Sequence, residues 1–261
     1  MTLDRNNSVI FLDIDGTLTV RGNIVPDENK AAIDFVRSLG NKVFINTGRS
    51  KGNLPDFILD QVNVDGVICG NGTLVYMNNM PIFDNTFDKK VVKSVAEFVT
   101  ASEKYWCVYE GVNCCYSAPG NPSQLMEAWG ISKIAEDIDK LYEFDRIQVI
   151  AVGSKPENDF IEKFSDVLDI YQLDHFADCT PKGYNKTVGA ARVLDMLGIN
   201  KKNTVAIGDS ANDLAMIKFA GIGVAMANSD KVILDAADYI TQSNNQAGVA
   251  KALFYLFNKD E

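Results

Sequence analysis

Two aspartates separated by a single residue follow a short apolar run near the start of the chain. The run is Val9-Ile10-Phe11-Leu12, and the sequence after it is Asp13-Ile14-Asp15-Gly16-Thr17. Two carboxylates this close repel one another unless a positive charge lies between them. A divalent cation would supply that charge, and Mg2+ is usually held by carboxylates together with a substrate phosphate. The same residues could instead form an acidic surface turn, because Asp and Gly are ordinary turn residues.

The two residues that complete this segment are suited to binding an anion. Gly16 can adopt a positive φ, which lets backbone N–H groups approach an anion closely, and Thr17 adds a hydroxyl donor. The segment therefore predicts a phosphate group beside the cation.

Three later segments contain further residues suited to phosphate or metal. They are Asn46-Thr47-Gly48-Arg49, the helix start at Lys186, and Gly208-Asp209-Ser210-Ala211-Asn212-Asp213. The first and third follow unbroken apolar runs, which are typical of strands buried on both faces of a parallel sheet. Function in such sheets lies at the carboxyl ends of the strands. We therefore expect these segments to meet Asp13 and Asp15 at one sheet edge.

Four carboxylates would then crowd one crevice, and they could not all stay ionised without compensation. Mg2+ and the ammonium of Lys186 would supply it, and the same positive charges would hold a phosphate dianion. Asn46 and Thr47 could donate hydrogen bonds to phosphoryl oxygens, although a helix N-cap or a turn would also explain them.

This set of motifs closely resembles the haloacid dehalogenase-like (HAD) superfamily, and within it the Cof-type phosphatases with a class IIB cap. The four motifs occur in the family's order, so the resemblance covers nearly the whole chain. It implies an α/β fold: a Rossmann-like, doubly wound, mostly parallel sheet with an inserted α+β cap domain. Residues 1–83 and 181–261 would form the catalytic core, and residues 84–180 the cap.

The resemblance also implies a mechanism. Asp13 would attack phosphorus and form an aspartyl-phosphate, while Asp15 would serve as the general acid and base. The substrate phosphate would be bound by four residues: Thr47, Gly48, Lys186 and Gly16. The expected substrate is a small phosphorylated metabolite, and sugar phosphates are the class that the resemblance favours.

The resemblance implies a Mg2+ ion that is bound by Asp13, the carbonyl of Asp15, and Asp209. Asp213 would either bind the metal, directly or through water, or orient Lys186. Asn46 and Asn212 would support the loops.

Other functions use similar residues. A phosphomutase shares Asp13 and Asp15 but needs a bisphosphate primer, and a phosphometabolite-binding regulator could keep the site without turnover. A glycosyltransferase also uses Asp-x-Asp with a divalent metal, but the late Gly-Asp-x-x-x-Asp segment makes that class a poor match.

Composition restricts the partners. Of 261 residues, 35 are acidic and 25 basic, and the net charge of −10 opposes binding to nucleic acid or to anionic membranes. No apolar run approaches the ~20 residues that span a bilayer. The first seven residues are polar and lack the features of a signal peptide, so we expect a cytoplasmic protein.

Several further residues favour ordinary packing roles. The five cysteines form no Cys-x-x-Cys pair and are expected to be reduced thiols, and the single histidine, His175, is expected to be a packing or surface residue. The aromatic residues Tyr105, Trp106, Tyr109 and Tyr116 could line a substrate face, but a core position is favoured. The pattern also predicts a strand at Val112–Tyr116 and a helical segment at Ile134–Leu141.

Overall fold

The protein is described by a computed structural model that covers residues 3–78, 80–102, 104–154, 156–173 and 175–258. The chain divides into two compact units. Unit 1 comprises Met1–Thr47, Pro55–Phe83 and Asn185–Glu261, and unit 2 comprises Gly48–Leu54 and Asp84–Tyr184. The expected boundaries of the core were 1–83 and 181–261, so two segments differ: residues 48–54 and 181–184 pack with unit 2.

Unit 1 is built on an eight-stranded sheet. Its strands, numbered in chain order, are β1 (Val9–Leu12), β2 (Lys42–Asn46), β3 (Gly66–Cys69), β4 (Leu74–Met77), β5 (Met80–Asp84), β11 (Thr204–Gly208), β12 (Ile222–Ala225) and β13 (Tyr239–Ile240). They lie in the order β13-β12-β11-β1-β2-β3-β4-β5. The strands from β13 to β3 run parallel, and β4 runs antiparallel to β3. The predicted α/β class with a mostly parallel sheet is confirmed.

Unit 1 also contains α-helices. They are α1 (Asp27–Ser38), α2 (Asp56–Leu59), α7 (Lys186–Leu197), α8 (Leu214–Phe219), α9 (Lys231–Leu234) and α10 (Gly248–Phe257). Val9 and Phe11 of β1 share one apolar cluster with residues of α7 and α8. Ile10 and Leu12 alternate to the opposite face and are equally buried. Burial on both faces explains why the β1 sequence is an unbroken apolar run.

A buried asparagine joins α1 to the end of the segment that follows β1. The Asn29 side chain is fully buried; its Nδ2 donates to the carbonyl of Leu18 at 3.1 Å, and its Oδ1 accepts from the backbone N–H of Ala250 at 2.9 Å. The α1–α10 pair is also held by the rings of Phe35 and Phe254, whose centroids are 5.4 Å apart. Asn29 therefore ties two helices to the loop that begins at Asp13.

Unit 2 is an antiparallel sheet with helices. Its strands are β6 (Cys107–Gly111), β7 (Cys115–Ser117), β8 (Ile147–Gly153), β9 (Leu168–Gln172) and β10 (Phe176–Pro181), in the order β7-β6-β8-β10-β9. Its helices are α3 (Lys89–Ser102), α4 (Ser123–Ala128), α5 (Ile138–Phe144) and α6 (Asn158–Phe164). Every pairing in this sheet is antiparallel. Tyr105, Tyr109 and Tyr116 are buried in its main apolar cluster, as the favoured interpretation predicts, whereas Trp106 is partly buried against a smaller cluster.

Backbone contacts explain the two segments that pack with unit 2. The N–H groups of Ser50 and Lys51 donate to the side chains of Glu110 (3.3 Å) and Gln148 (2.9 Å). At the other boundary, Pro181 pairs with Leu168 within the sheet.

Two elements of unit 2 begin later in the chain than the pattern predicts. In both cases a carboxylate side chain accepts hydrogen bonds from backbone N–H groups near the start of the element. The buried carboxylate of Asp145 accepts the backbone N–H groups of Val112, Asn113 and Cys114, so β7 begins at Cys115 rather than at Val112. Helix α5 begins at Ile138 because the Asp137 side chain accepts from the N–H groups that follow it.

No helix within the described residues is both long enough and apolar enough to cross a membrane.

We expect the substitution Asn29→Ala to lower the free energy of unfolding by about 1–3 kcal/mol, because it leaves a buried N–H of Ala250 and a carbonyl of Leu18 without partners. Urea denaturation of the two proteins measures the difference. The matched control is Asn63→Ala, at an exposed position, which should change stability by less than about 0.5 kcal/mol. Equal midpoints for Asn29→Ala and the parent protein would contradict the role given to Asn29.

Candidate active site

The segment after β1 is anchored to the neighbouring strand β11. The backbone N–H of Asp13 donates to the carbonyl of Ile207 at 3.0 Å. Because β1 and β11 pair in parallel, with Leu12 opposite Ile207, both strands end at the same sheet edge. Asp13 and Asp209 are thereby brought together from opposite ends of the chain.

Lys186 is at the centre of this cluster. It is fully buried, and its Nζ donates to Asp13 Oδ1 at 2.5 Å and to Asp213 Oδ1 at 2.6 Å. Helix α7 begins at Lys186, with Asn185 as its N-cap. The side chain of Asn46, at the end of β2, donates to the Lys186 carbonyl at 2.9 Å. The ammonium group therefore joins β1, α7 and the loop after β11.

Asp209 is held by the segment that contains Gly16. Thr17 Oγ1 donates to Asp209 Oδ1 at 2.7 Å. Gly16 has a φ of +78°, and a Cβ built on it would lie 2.3 Å from Asp209 Oδ2. Glycine suits this position because the positive φ disfavours other residues and because a Cβ would displace the Asp209 carboxylate.

Asp213 is engaged on both of its oxygens. Its Oδ2 accepts from the backbone N–H groups of Asp209 at 3.0 Å and Ser210 at 3.1 Å, while its Oδ1 contacts Lys186. A Cβ on Gly208 would lie 2.5 Å from the Asp213 carboxyl carbon. Asp213 thus contacts both its own loop and Lys186. Its two predicted roles, to orient Lys186 and to bind the metal, stay predictions.

Burial opposes the ionised form of the carboxylates in this cluster. Burial raises the pKa of Asp13 well above its usual value; Lys186 opposes this, and the charges of Asp213, Asp15 and Asp209 add to it. Burial likewise raises the pKa of Asp209 to about 6, against the hydrogen bond from Thr17. Burial lowers the pKa of Lys186, but attraction to Asp13 and Asp213 prevails, and the net shift is upward.

This donor set fits a divalent cation. Asp13, Asp209 and Asp213 each offer a carboxylate oxygen, and these oxygens lie within 4.8 Å of one another. Oxygen ligands of this kind suit Mg2+, and a divalent charge would favour the ionised carboxylates that burial opposes.

The other predicted residues are distributed as follows. Asp15 is exposed, and its charge raises the pKa of both Asp13 and Asp209. Thr47 is buried at the end of β2, where its N–H donates to the carbonyl of Ile68 at 2.9 Å. Gly48 is the first residue of the segment that packs with unit 2, and its predicted contact with phosphate stays a prediction.

Sequence reasoning missed two asparagines that contact these loops. Asn228 Nδ2 donates to the carbonyl of Gly16 at 2.9 Å. Asn71 Oδ1 accepts from Asn212 Nδ2 at 3.4 Å, and its backbone N–H donates to the Thr47 carbonyl at 3.1 Å. Both follow strands of the parallel sheet, so the strand-end rule that identified Asp13 and Asp209 could also have identified them.

Proteins of known function resemble the chain over nearly its whole length. The 5-amino-6-(5-phospho-D-ribitylamino)uracil phosphatase YcsE of Bacillus subtilis is 29% identical over 260 residues, covering 96% of each chain. The HAD subclass IIB sugar phosphatase BT4131 has a structure with a TM-score of 0.82, 25% identity, and coverage of 95% of this chain and 98% of its own. The HAD phosphatase BT1666 of Bacteroides thetaiotaomicron has the same fold, with a TM-score of 0.85 and 24% sequence identity. The match covers 97% of this chain and 96% of BT1666.

The family model for haloacid dehalogenase-like hydrolases matches residues 10–253, which include both carboxylate segments and Lys186. Together with the similarity to these phosphatases, this match confirms two predictions. The chain is related to the Cof-type phosphatases of the HAD superfamily, and it is an enzyme of the phosphatase class. The chain belongs to the haloacid dehalogenase-like hydrolase family.

Proposed function

We propose that this protein is a Mg2+-dependent phosphatase that hydrolyses a small sugar phosphate through an aspartyl-phosphate on Asp13. One observation carries the proposal: a fully buried Lys186 bridges Asp13 and Asp213, with Asp209 close by. A buried ammonium between carboxylates is a costly arrangement, and such groups concentrate at functional sites.

The reaction proceeds in two displacements. An oxygen of the Asp13 carboxylate attacks phosphorus, the bond from phosphorus to the substrate oxygen breaks, and Asp15 protonates the leaving oxygen. Water then attacks the aspartyl-phosphate, Asp15 accepts its proton, and the bond to Asp13 breaks to release phosphate. Exposure suits Asp15 to this exchange of protons with substrate and water.

Within the part of the chain that the structure describes, Lys186 has one N–H donor left for the phosphate. An ammonium carries three N–H donors, and the contacts with Asp13 and Asp213 use two of them. The third would bind a phosphoryl oxygen, where a positioned charge stabilises the transition state. Thr47, Gly48 and the backbone at Gly16 would bind the remaining oxygens.

Mg2+, when bound by Asp13, the Asp15 carbonyl, Asp209 and Asp213, would neutralise charge on the phosphoryl oxygens. Asn46 and Asn212 hold the surrounding loops: Asn46 fixes the start of α7, and Asn212 Oδ1 accepts from Ser210 Oγ at 2.8 Å.

The substrate class is proposed from the relatives. One is named as a phosphatase of a phosphoribitylamino compound and another as a sugar phosphatase. Substrate selection would fall to the predicted cap, residues 84–180.

We expect Asp13→Asn to reduce the rate of phosphate release from p-nitrophenyl phosphate with Mg2+ by at least about a thousandfold, because an amide cannot act as the nucleophile. The control is Asp34→Asn, at an exposed position of α1, which should keep the parental rate. Comparable rates for Asp13→Asn and the parent protein would rule out covalent catalysis by Asp13.

Asp15→Asn should separate the two displacements. The p-nitrophenolate group leaves without needing a proton, so the first step should persist while hydrolysis of the aspartyl-phosphate slows. Rapid-mixing experiments should show a burst of p-nitrophenolate approaching one equivalent per enzyme, followed by slow turnover. A steady rate equal to that of the parent protein, with no burst, would remove Asp15 from the mechanism.

Mg2+ should raise the melting temperature of the protein, because a ligand that binds only the folded state stabilises it. Asp209→Asn removes a predicted ligand and should reduce this shift to near zero. Asp235→Asn changes an exposed carboxylate that pairs with Lys231 and should leave the shift intact. Differential scanning calorimetry with Mg2+ and with EDTA measures the shifts, and an equal shift in Asp209→Asn would contradict the assignment.

A further inference from the structure

The turn after β3 has unusual conformational features. It comprises Gly70-Asn71-Gly72, and all three residues have positive φ, with Asn71 at +51°. The Asn71 side chain is 1% exposed. Left-handed backbone at a non-glycine residue is uncommon, and where it persists the surrounding structure maintains it.

This turn contacts the elements that carry the proposed phosphate-binding residues. The backbone N–H of Asn71 donates to the Thr47 carbonyl at 3.1 Å. A Cβ on Gly72 would lie 2.3 Å from the carbonyl oxygen of Asn185, the N-cap of the helix that begins at Lys186. The turn is therefore packed against the end of β2 on one side and the start of α7 on the other.

The side chain of Asn71 extends the connection to the carboxylate loop. Its Oδ1 accepts from Asn212 Nδ2 at 3.4 Å, and Asn212 lies next to Asp213. Thr47 and the loop from Asp209 to Asp213 are thus joined through a single residue.

Asn71 occupies this position at a cost to the fold. Its Nδ2 is buried and has no hydrogen-bond partner among the described residues, and a buried donor without an acceptor is destabilising. The left-handed backbone is uncommon for a residue with a Cβ, and asparagine is one of the few such residues that adopt it. Neither feature improves stability, so a role in the site explains them better than a role in folding.

We infer that Asn71 is a positioning residue for the proposed phosphatase reaction: its side chain holds Asn212, and with it the Asp209–Asp213 loop, in place relative to Thr47. The inference rests on the proposed function. It gives a role to a turn that lies outside the four motifs identified in the sequence. Residues that support metal ligands in this way typically change metal affinity or activity about 10- to 100-fold when they are replaced.

The test is a double-mutant cycle of Asn71→Gly and Asn212→Ala. Glycine keeps the positive φ and the backbone N–H to Thr47, so only the side chain is lost. The matched control is Asn78→Gly, because Asn78 also has a positive φ, +50°, but is exposed. Three quantities are measured for each protein: Mg2+ affinity by calorimetry, kcat/KM for p-nitrophenyl phosphate, and the urea midpoint.

We expect Asn71→Gly to weaken Mg2+ binding and kcat/KM by about tenfold, while its urea midpoint stays at or above that of Asn78→Gly. The double variant should lose no more Mg2+ affinity and kcat/KM than the more impaired of the two single variants, because both substitutions remove the same contact. Asn78→Gly should match the parent protein in Mg2+ affinity and kcat/KM.

Three results would overturn the inference: an Asn71→Gly protein with unchanged Mg2+ affinity and kcat/KM, losses that multiply in the double variant, or a urea midpoint that falls well below that of Asn78→Gly. The last would show that Asn71 serves the fold. A parent protein that neither binds Mg2+ nor releases phosphate would instead contradict the proposed function, so the two failures are distinguishable.

Discussion

The ion pairs of Lys186 with Asp13 and Asp213 constrain everything else at this sheet edge. Moving an ammonium and two carboxylates out of water is expensive, and their mutual attraction offsets that cost only with close geometry and further hydrogen bonds. The structure supplies both: distances of 2.5 and 2.6 Å, and backbone N–H groups on the second oxygen of Asp213. Helix α7 must therefore begin at the position where its first side chain reaches both carboxylates.

The strand order makes that geometry possible. Because β11 lies beside β1 in parallel register, carboxylates from the two ends of the sequence reach one sheet edge. Close packing at this edge then requires residues without side chains. Gly16 lies against the Asp209 carboxylate, and Gly208 lies against the Asp213 carboxylate. The charged groups can therefore approach one another, since no side chain at either glycine separates them.

Much of this could be predicted from the sequence, since it depends on local patterns. The apolar run of β1 and the polar residues after it indicate a buried strand with a functional end, and the structure brings Asp13, Lys186, Asp209 and Asp213 together. The attachment of residues 48–54 to unit 2 could not be predicted, because it depends on Glu110 and Gln148, which lie far away in the sequence. The late start of β7 has the same origin: the Asp145 carboxylate takes N–H groups that a strand ladder would otherwise use.

The turn at Asn71 is a local pattern, but its contacts could not be predicted, because Thr47 and Asn212 lie far away in the sequence. Pattern reasoning assumes that each residue favours the local structure in which it lies, and this consistency is relaxed at functional sites. Among the described residues, three buried side-chain atoms lack a hydrogen-bond partner: Asn46 Oδ1, Asn71 Nδ2 and Thr187 Oγ1. Asn46 precedes Thr47, Thr187 follows Lys186, and Asn71 donates its backbone N–H to Thr47. The residues with unpaired polar atoms thus lie next to, or in contact with, Thr47 and Lys186. Buried polar atoms without partners destabilise a fold, so their position beside the predicted phosphate-binding residues agrees with a site in which binding, as well as stability, shapes the structure.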